Sequence, residues 1–448
     1  MRVQIFKTWD RVRSSFWFLP AVMAAGAVVL AFASVALDER VTDWFTINWG
    51  LNFTGGAEGA SSLLGAIAGS MITIAGVVFS MTLVALSLAS SQLGPRLLRN
   101  FMRDTTTQVV LGTFVAAFLY CLLVLRTIRR ADEVVFIPHL SVTLGVLLAV
   151  VSVGVLIYFI HHMSVSIQAN EIVARVGTEL IEGINRLFPE HIGRGAPRIP
   201  TGPPDTGFLD AFGREARPVG AAENGYIQFI DGDALMALAM QEDVIIRLER
   251  GPGHYVVAGS PLALAWPETR ITDQIADRIN SAFAMGNQRT SGQDIEFVVN
   301  QLVEIAVRAL SPGVNDPFTA VTCVDHLGAA LCRLLQRDMP SPFRHDSQDQ
   351  LRVITPVVTF SALTDAAFNQ IRQYGRSSAA VTIRLLETIA VVAGFAHRPE
   401  DRVALLRHAK MIVRGSRGGL PEDEDRQEVE ERYQSVNQML SESADSGP

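Results

Sequence analysis

A run of 37 residues from Gly59 to Pro95 carries no charge. Within it, Gly69, Thr73, Gly76, Ser80, Leu83, Ser87 and Ser90 recur at alternating steps of four and three. On a helix that spacing sets all seven on one face. Six of the seven are small or hydroxylated, whereas Ile, Val, Phe, Met and Leu dominate the other faces. Such a stripe has two uses. It lets helices approach closely, with hydroxyls bonding across the contact, and Gly65-x-x-x-Gly69 fits that use. Alternatively it lines a narrow wet path in an oligomer, with Leu83 as a hydrophobic constriction. The run ends in Gly94-Pro95, a break or kink, and Arg96, Arg99 and Arg103 follow at steps of three and four. That cationic row would draw anions or hold acidic lipid headgroups at a cytoplasmic mouth. Equally, it is the Lys/Arg bias expected of any cytoplasmic loop.

A second distinctive segment is Ala309-Leu-Ser-Pro-Gly-Val-Asn-Asp-Pro-Phe-Thr-Ala320. Asn315 and Asp316 offer oxygens to a cation or a ligand hydroxyl. The structural alternative is a helix ending at Leu310, a Pro312-Gly313 turn, Asp316 as the next helix cap and Pro317 at its first position. Glu304 and Arg308 form an i,i+4 pair that would stabilise a helix. Asp294, Glu296, Asp325 and His326 lie in the same region without the spacing of a metal or catalytic site. His161-His162 is a pH-sensitive pair or a pair of headgroup-level residues. No Walker loop, GxGxxG, GxSxG or HExxH is present, so neither an enzyme nor a cofactor nor a metal is expected.

The elements that must position these residues divide into two kinds. Charge is scarce from Phe16 to His162 and crowded after it. Four uncharged stretches of spanning length are Phe16–Leu37, Leu63–Leu88, Val109–Leu125 and Leu140–Ile160. Trp9, Trp17, Trp44 and Trp49 flank the first as interface anchors. The first stretch is too long for a signal-peptide core and lacks a small-residue cleavage site, so it reads as a retained helix. Lys and Arg counts put the N-terminus, the second loop and the C-terminal part in the cytoplasm, against Arg126, Arg129 and Arg130 in the third loop. Three cysteines, Cys121, Cys323 and Cys332, make no CxxC pair, so no zinc site or disulfide framework is expected. The net charge of −7 and the lack of a basic run argue against nucleic acid.

Beyond a transmembrane domain over 1–165, the spacing predicts an amphipathic helix from Ser164 to about Phe188 and a Gly/Pro linker over Gly193–Pro204, together 166–204. A small β-barrel or sandwich module follows over 205–268, on the runs Gly225–Asp231, Val244–Glu249 and His254–Leu264. Its strand–GPG–strand–Gly–Ser–Pro pattern resembles lipoyl and biotinyl modules in shape, without the lysine that would carry a cofactor. An α-helical domain is expected over 269–415, in the helices Ile295–Leu310, Phe318–Gln336, Leu351–Tyr374 and Ser377–Ala396. A charged, partly disordered tail occupies 416–448, with Glu428–Leu440 as a possible exposed helix.

Gly69–Arg103, Pro138-His139-Leu140 and the ALSPGVNDPFTA segment together resemble the bacterial predicted integral membrane proteins grouped as domain of unknown function 2254. The resemblance extends to roughly Arg414. It implies an inner-membrane protein and no activity or site. The residues themselves favour a homo-oligomeric channel or transport protein in the lipid bilayer, with a cytoplasmic regulatory or assembly domain. The alternative is a membrane-anchored sensor or scaffold whose soluble part binds a ligand or protein.

Overall fold

A segment without water can pair its backbone groups internally only as a helix or a closed barrel. The computed structural model, which describes residues 16–45, 56–94, 104–128, 136–188 and 212–442, forms four long apolar helices. They are α1 Phe18–Phe45, α2 Ala57–Leu93, α3 Thr105–Thr127 and α4 His139–Ser166. They fall within the first of two units, Trp9–Gln168; the other lies within Ala169–Pro448. At 37 residues α2 is the longest, about 55 Å against a hydrocarbon core of about 30 Å. It stops at Gly94, whose φ of 122° suits glycine.

The first unit is organised on α3, the most buried of the four helices. Tyr120, Cys121 and Val124 pack with Ala31 of α1, Leu64 and Ala68 of α2 and Val142 of α4. Toward the other end, Val110 and Phe114 pack with Met71, Ala75 and Val78 of α2 and Phe159 of α4. Close approach is provided by glycines outside the α2 stripe. A Cβ on Gly112 would strike Met23 Sδ, and one on Gly145 would lie 2.9 Å from Leu64 Cδ2.

The second unit begins with α5 Ala169–Leu187. Its apolar face, including Ile172, Val176, Leu180 and Ile184, is buried. Then come β1 Arg217–Gly220, β2 Gly225–Ile230, α6 Gly232–Gln241, β3 Ile245–Leu248, β4 Tyr255–Val256, β5 Pro261–Trp266, α7 Asp273–Ser281 and β6 Phe283–Gly286. The remainder is α8 Ile295–Ala309, α9 Pro317–Leu335, β7 Phe343–His345, β8 Leu351–Ile354, α10 Phe360–Gly375, α11 Ala379–Ala393, α12 Pro399–Gly419 and α13 Asp423–Glu442. Although α9 is long and apolar enough to cross a membrane, Cys323, Val324, Leu327, Leu331 and Leu334 bury it among neighbouring helices.

In place of the expected small barrel or sandwich there are two open sheets, ordered β1-β5-β3-β8-β7 and β4-β2-β6. The reason is a long-range pairing. β8 lies parallel to β3, with Ile246 opposite Val353, and a parallel neighbour arrives only after a long crossover. The same pairing corrects the helix expected over Leu351–Tyr374: Leu351–Ile354 is strand β8, and the helix starts only at Phe360, beyond Pro356. The stretch expected as a charged tail is ordered through Glu442 by α13, whose Val429, Val436 and Leu440 are buried. The Gly193–Pro204 linker lies outside the described residues.

Asp294 joins the β part to the helices. It caps α8 by accepting from Phe297 N at 3.0 Å and binds Arg289 through both oxygens at 2.6 and 2.8 Å. The Gly251-Pro252-Gly253 turn lies against that carboxylate: Gly253 has φ 86°, and a Cβ there would strike Asp294 Oδ2. Gly259 has a similar φ of 82° but faces open space. Gly259→Ala should therefore show conformational strain alone, about 1–2 kcal/mol. Gly253→Ala adds a clash with a side chain that its own partners hold fast, for a total loss of about 3 kcal/mol or more. Denaturation midpoints of the two variants, with hydrogen exchange in α8, check this order.

Candidate functional site

The described polar groups of the membrane unit are met first at the helix ends. α4 starts behind Pro138, which offers no side-chain acceptor, so its first N–H groups need one from elsewhere. Asp38, near the end of the first span, supplies it. Its carboxylate accepts from Leu140 N at 2.9 Å, Ser141 N at 2.9 Å and Ser141 Oγ at 2.6 Å. Tyr120 of α3 donates to Ser141 O at 3.0 Å and lies 3.0 Å from Ser34 Oγ of α1. The cluster thus ties three helices at one end of the unit.

At the other end Asp104 caps α3, accepting from Thr106 N at 3.2 Å and Thr107 Oγ1 at 2.7 Å. His162 Nε2 of α4 lies 2.9 Å from Asp104 Oδ2, with Tyr158 stacked on the imidazole at 6.0 Å. The two adjacent histidines are therefore not equivalent: His161 is exposed and His162 is a tie between spans.

The stripe takes no part in this packing. Gly69, Thr73, Gly76, Ser80, Leu83 and Ser87 are exposed, and Ser90 is half-buried. A Cβ on Gly65, Gly69 or Gly76 would meet nothing within 4 Å. The face that α2 gives to its own unit is another one: Leu64, Ala68, Met71, Ala75, Val78 and Ala85. Thr73 Oγ1 donates to Gly69 O at 2.8 Å, and the Ser80 and Ser87 side chains have no hydrogen bond among the described residues. Ile72, Val77, Phe79 and Val84 flank the stripe and are also exposed. Arg96, Arg99 and Arg103 lie outside the described residues.

In the second unit Asp316 accepts from Thr319 N at 3.1 Å and from Thr319 Oγ1 at 2.5 Å, capping α9 with Pro317 in its first turn. Asn315 sits at φ 50° and donates its N–H to Ser311 O at 2.8 Å. The Asp316 carboxyl is held below its usual range chiefly by the Thr319 hydroxyl. Glu304 lies 3.5 Å from Arg308. The four dispersed candidates are not brought together. Asp294 and Glu296 both face Arg289, Asp325 pairs with Arg384, and His326 packs on Gly177. The void bounded by Leu180, Ile295, Leu331 and Leu363 is apolar and about 10 Å³, room for about one water.

Two polar sites escaped the sequence. Asp38 registered only as loop charge; the signal was a proline at the start of a span, which obliges a distant acceptor. The other is His408 of α12, fully buried, 2.9 Å from Asp365 Oδ1 of α10 and edge-on to Phe368. Burial, helped by Arg407 and Arg372 and opposed by Asp365, brings this imidazole down to about 4.

Four apolar helices with buried polar ties, followed by an α/β unit, define a multi-pass membrane protein. The chain belongs to the family described as "Predicted membrane protein (DUF2254)", whose pattern matches residues 13–391. Proteins of Mycobacterium tuberculosis and Mycobacterium bovis, each described as an uncharacterized protein, are 33% identical to it over 429 residues, covering 93% of this chain and 79% of theirs. No solved structure matches it.

Asp38→Ala should cost about 3 kcal/mol, because it orphans several α4 donors together, and Ser141→Ala about 1 kcal/mol; thermal midpoints of the detergent-solubilised protein measure both. A pH prediction follows from His408. Folded His408 stays neutral down to about 4, whereas the unfolded chain takes up that proton near about 6.5. The contribution is fully present above about pH 6.5 and is lost as pH falls towards 4, about 3 kcal/mol in all. Hydrogen exchange of α10 and α12, corrected for intrinsic rate, should show that loss in the wild type and less of it in His408→Gln.

Proposed function

We propose that this chain is a homo-oligomeric channel or transport protein of the bacterial inner membrane, not an enzyme. Copies of α2 surround the axis. The N-terminus and the second unit lie in the cytoplasm, where the second unit assembles or regulates the pore. The supporting observation is the outward face of α2. Its glycines meet no atom of their own protomer, so the stripe is not spent on packing within the chain. Exposed Ser80 and Ser87 sit in a 32-residue apolar span, where hydroxyls facing lipid alone would be costly. Water or a second copy of α2 satisfies them. Leu83, between the two serines, is then the constriction of a narrow path.

The alternative, a membrane-anchored sensor or scaffold, draws on Phe318, which stands 78% exposed beside the Asn315-Asp316 turn as an apolar contact for a partner. Ion flux from liposomes separates the two. The channel reading predicts flux in the wild type and about a tenfold increase in Leu83→Ala, equivalent to removing about 1.4 kcal/mol of barrier. No flux from either protein would reject it.

A further inference from the structure

Nearly all positive charge in this chain is arginine, the exceptions being Lys7 and Lys410. In the second unit many of those arginines reach a carboxylate: Arg247 meets Glu249, Arg278 meets Glu242, Arg289 meets Asp294 and Arg384 meets Asp325. One seam departs from that habit. Helices α10 and α12 pack side by side and run in the same direction. Asp365 meets Arg407 and His408, and further along a Cβ on Gly419 would strike Arg376 O; between these contacts the same register sets Arg372 level with Arg414. Asp365 neutralises the first rung. No acid follows it on α10, and none follows Asp401 on α12.

The cations of α12 can be accounted for one by one. Arg402 donates to the carbonyls of Met439 and Leu440, Arg407 to Asp365 and Arg417 to Glu430 of α13. Lys410 and Arg414 are left, one turn apart; in the register set by Asp365 with His408 and by Arg376 with Gly419, Arg414 lies level with Arg372 and Lys410 one turn before it. None of these four cations has a carboxylate partner among the described residues. Arg372 is the informative member. Its Nε is buried and has no acceptor, and burial together with the neighbouring Arg414 holds the guanidinium below its ordinary value. His408, fully buried one rung away, likewise has an Nδ1 without a partner. A buried donor beside a like charge costs stability unless an acceptor fills the space.

We propose that the α10–α12 seam is a phosphate-binding site, in which Arg372 and Arg414 grip the anion and Arg376 and Lys410 close its rim. Arginine forks match phosphate oxygens in pairs, and such charge-assisted bonds are the strong ones. A free phosphate compound and a phospholipid headgroup present the same chemistry to the seam. The proposal does not depend on a channel function.

The test uses the full-length protein in an uncharged detergent. Inorganic phosphate and pyrophosphate are titrated at constant ionic strength against the thermal midpoint. In parallel, the protein is placed in neutral-lipid nanodiscs with and without phosphatidylglycerol. Arg372→Gln and Arg414→Gln are compared with the wild type, and Arg278→Gln serves as control. Each seam substitution relieves repulsion, so without anion both variants should unfold no earlier than the wild type; hydrogen exchange verifies their fold. Phosphate strengthens many folds by exclusion from their surface, so the readout is the difference between proteins.

A saturable rise with free phosphate, weakened about tenfold in Arg414→Gln, supports a soluble ligand; tenfold is about 1.4 kcal/mol. A rise only with phosphatidylglycerol, weakened in the same variants, supports a headgroup. No saturable response from either source, or the same response in wild type and both seam variants, overturns the proposal.

Discussion

The membrane unit depends on one constraint: inside hydrocarbon, a polar group must find its partner within the protein or in water that the protein admits. Asp38 and Asp104 meet that constraint at opposite ends of the bundle. Each supplies acceptors to the start of a span, and each joins that span to another. Gly112 and Gly145 then let the helices close on one another. On the outward face of α2 the described residues leave that constraint open. Among the described residues the Ser80 and Ser87 hydroxyls have no side-chain hydrogen bond, and a Cβ on the stripe glycines would meet nothing.

The same accounting of polar groups orders the second unit. Asp294 serves a helix N-terminus, a half-buried arginine and a glycine turn at once, so these segments share one fixed point. Asp316 fixes the entry to α9 in a similar way, as Asp365 fixes the contact of α10 with α12. Against that pattern, Arg372 keeps a buried Nε without an acceptor among the described residues.

The spans were legible because length and lack of charge are local properties of a sequence. The stripe was legible as a periodicity, but not its direction; only the packing of Leu64, Ala68 and Met71 reveals that it points away from the unit. Asp316 and Pro317 were readable as a cap and first turn because capping is resolved within four residues. What escaped was non-local. Asp38 acts across about a hundred residues, and β8 joins β3 across a similar gap. The pairing of His408 with Asp365 leaves no sequence signal beyond a histidine on a helix. The acidic run of α13 concealed Val429, Val436 and Leu440, a sparse apolar row that packing made sufficient.

The central claim is that the α2 stripe faces water or another copy of α2. Single cysteines at Thr73, Ser80 and Ser87, and at Val77 and Val84 on the flank, would be introduced into protein lacking Cys121, Cys323 and Cys332. Native membranes would then be exposed to a charged thiol reagent and to an oxidant. The account predicts modification or inter-chain disulfides at 73, 80 and 87, and little of either at 77 and 84. Equal behaviour on both faces, or no reaction at any stripe position, would contradict it.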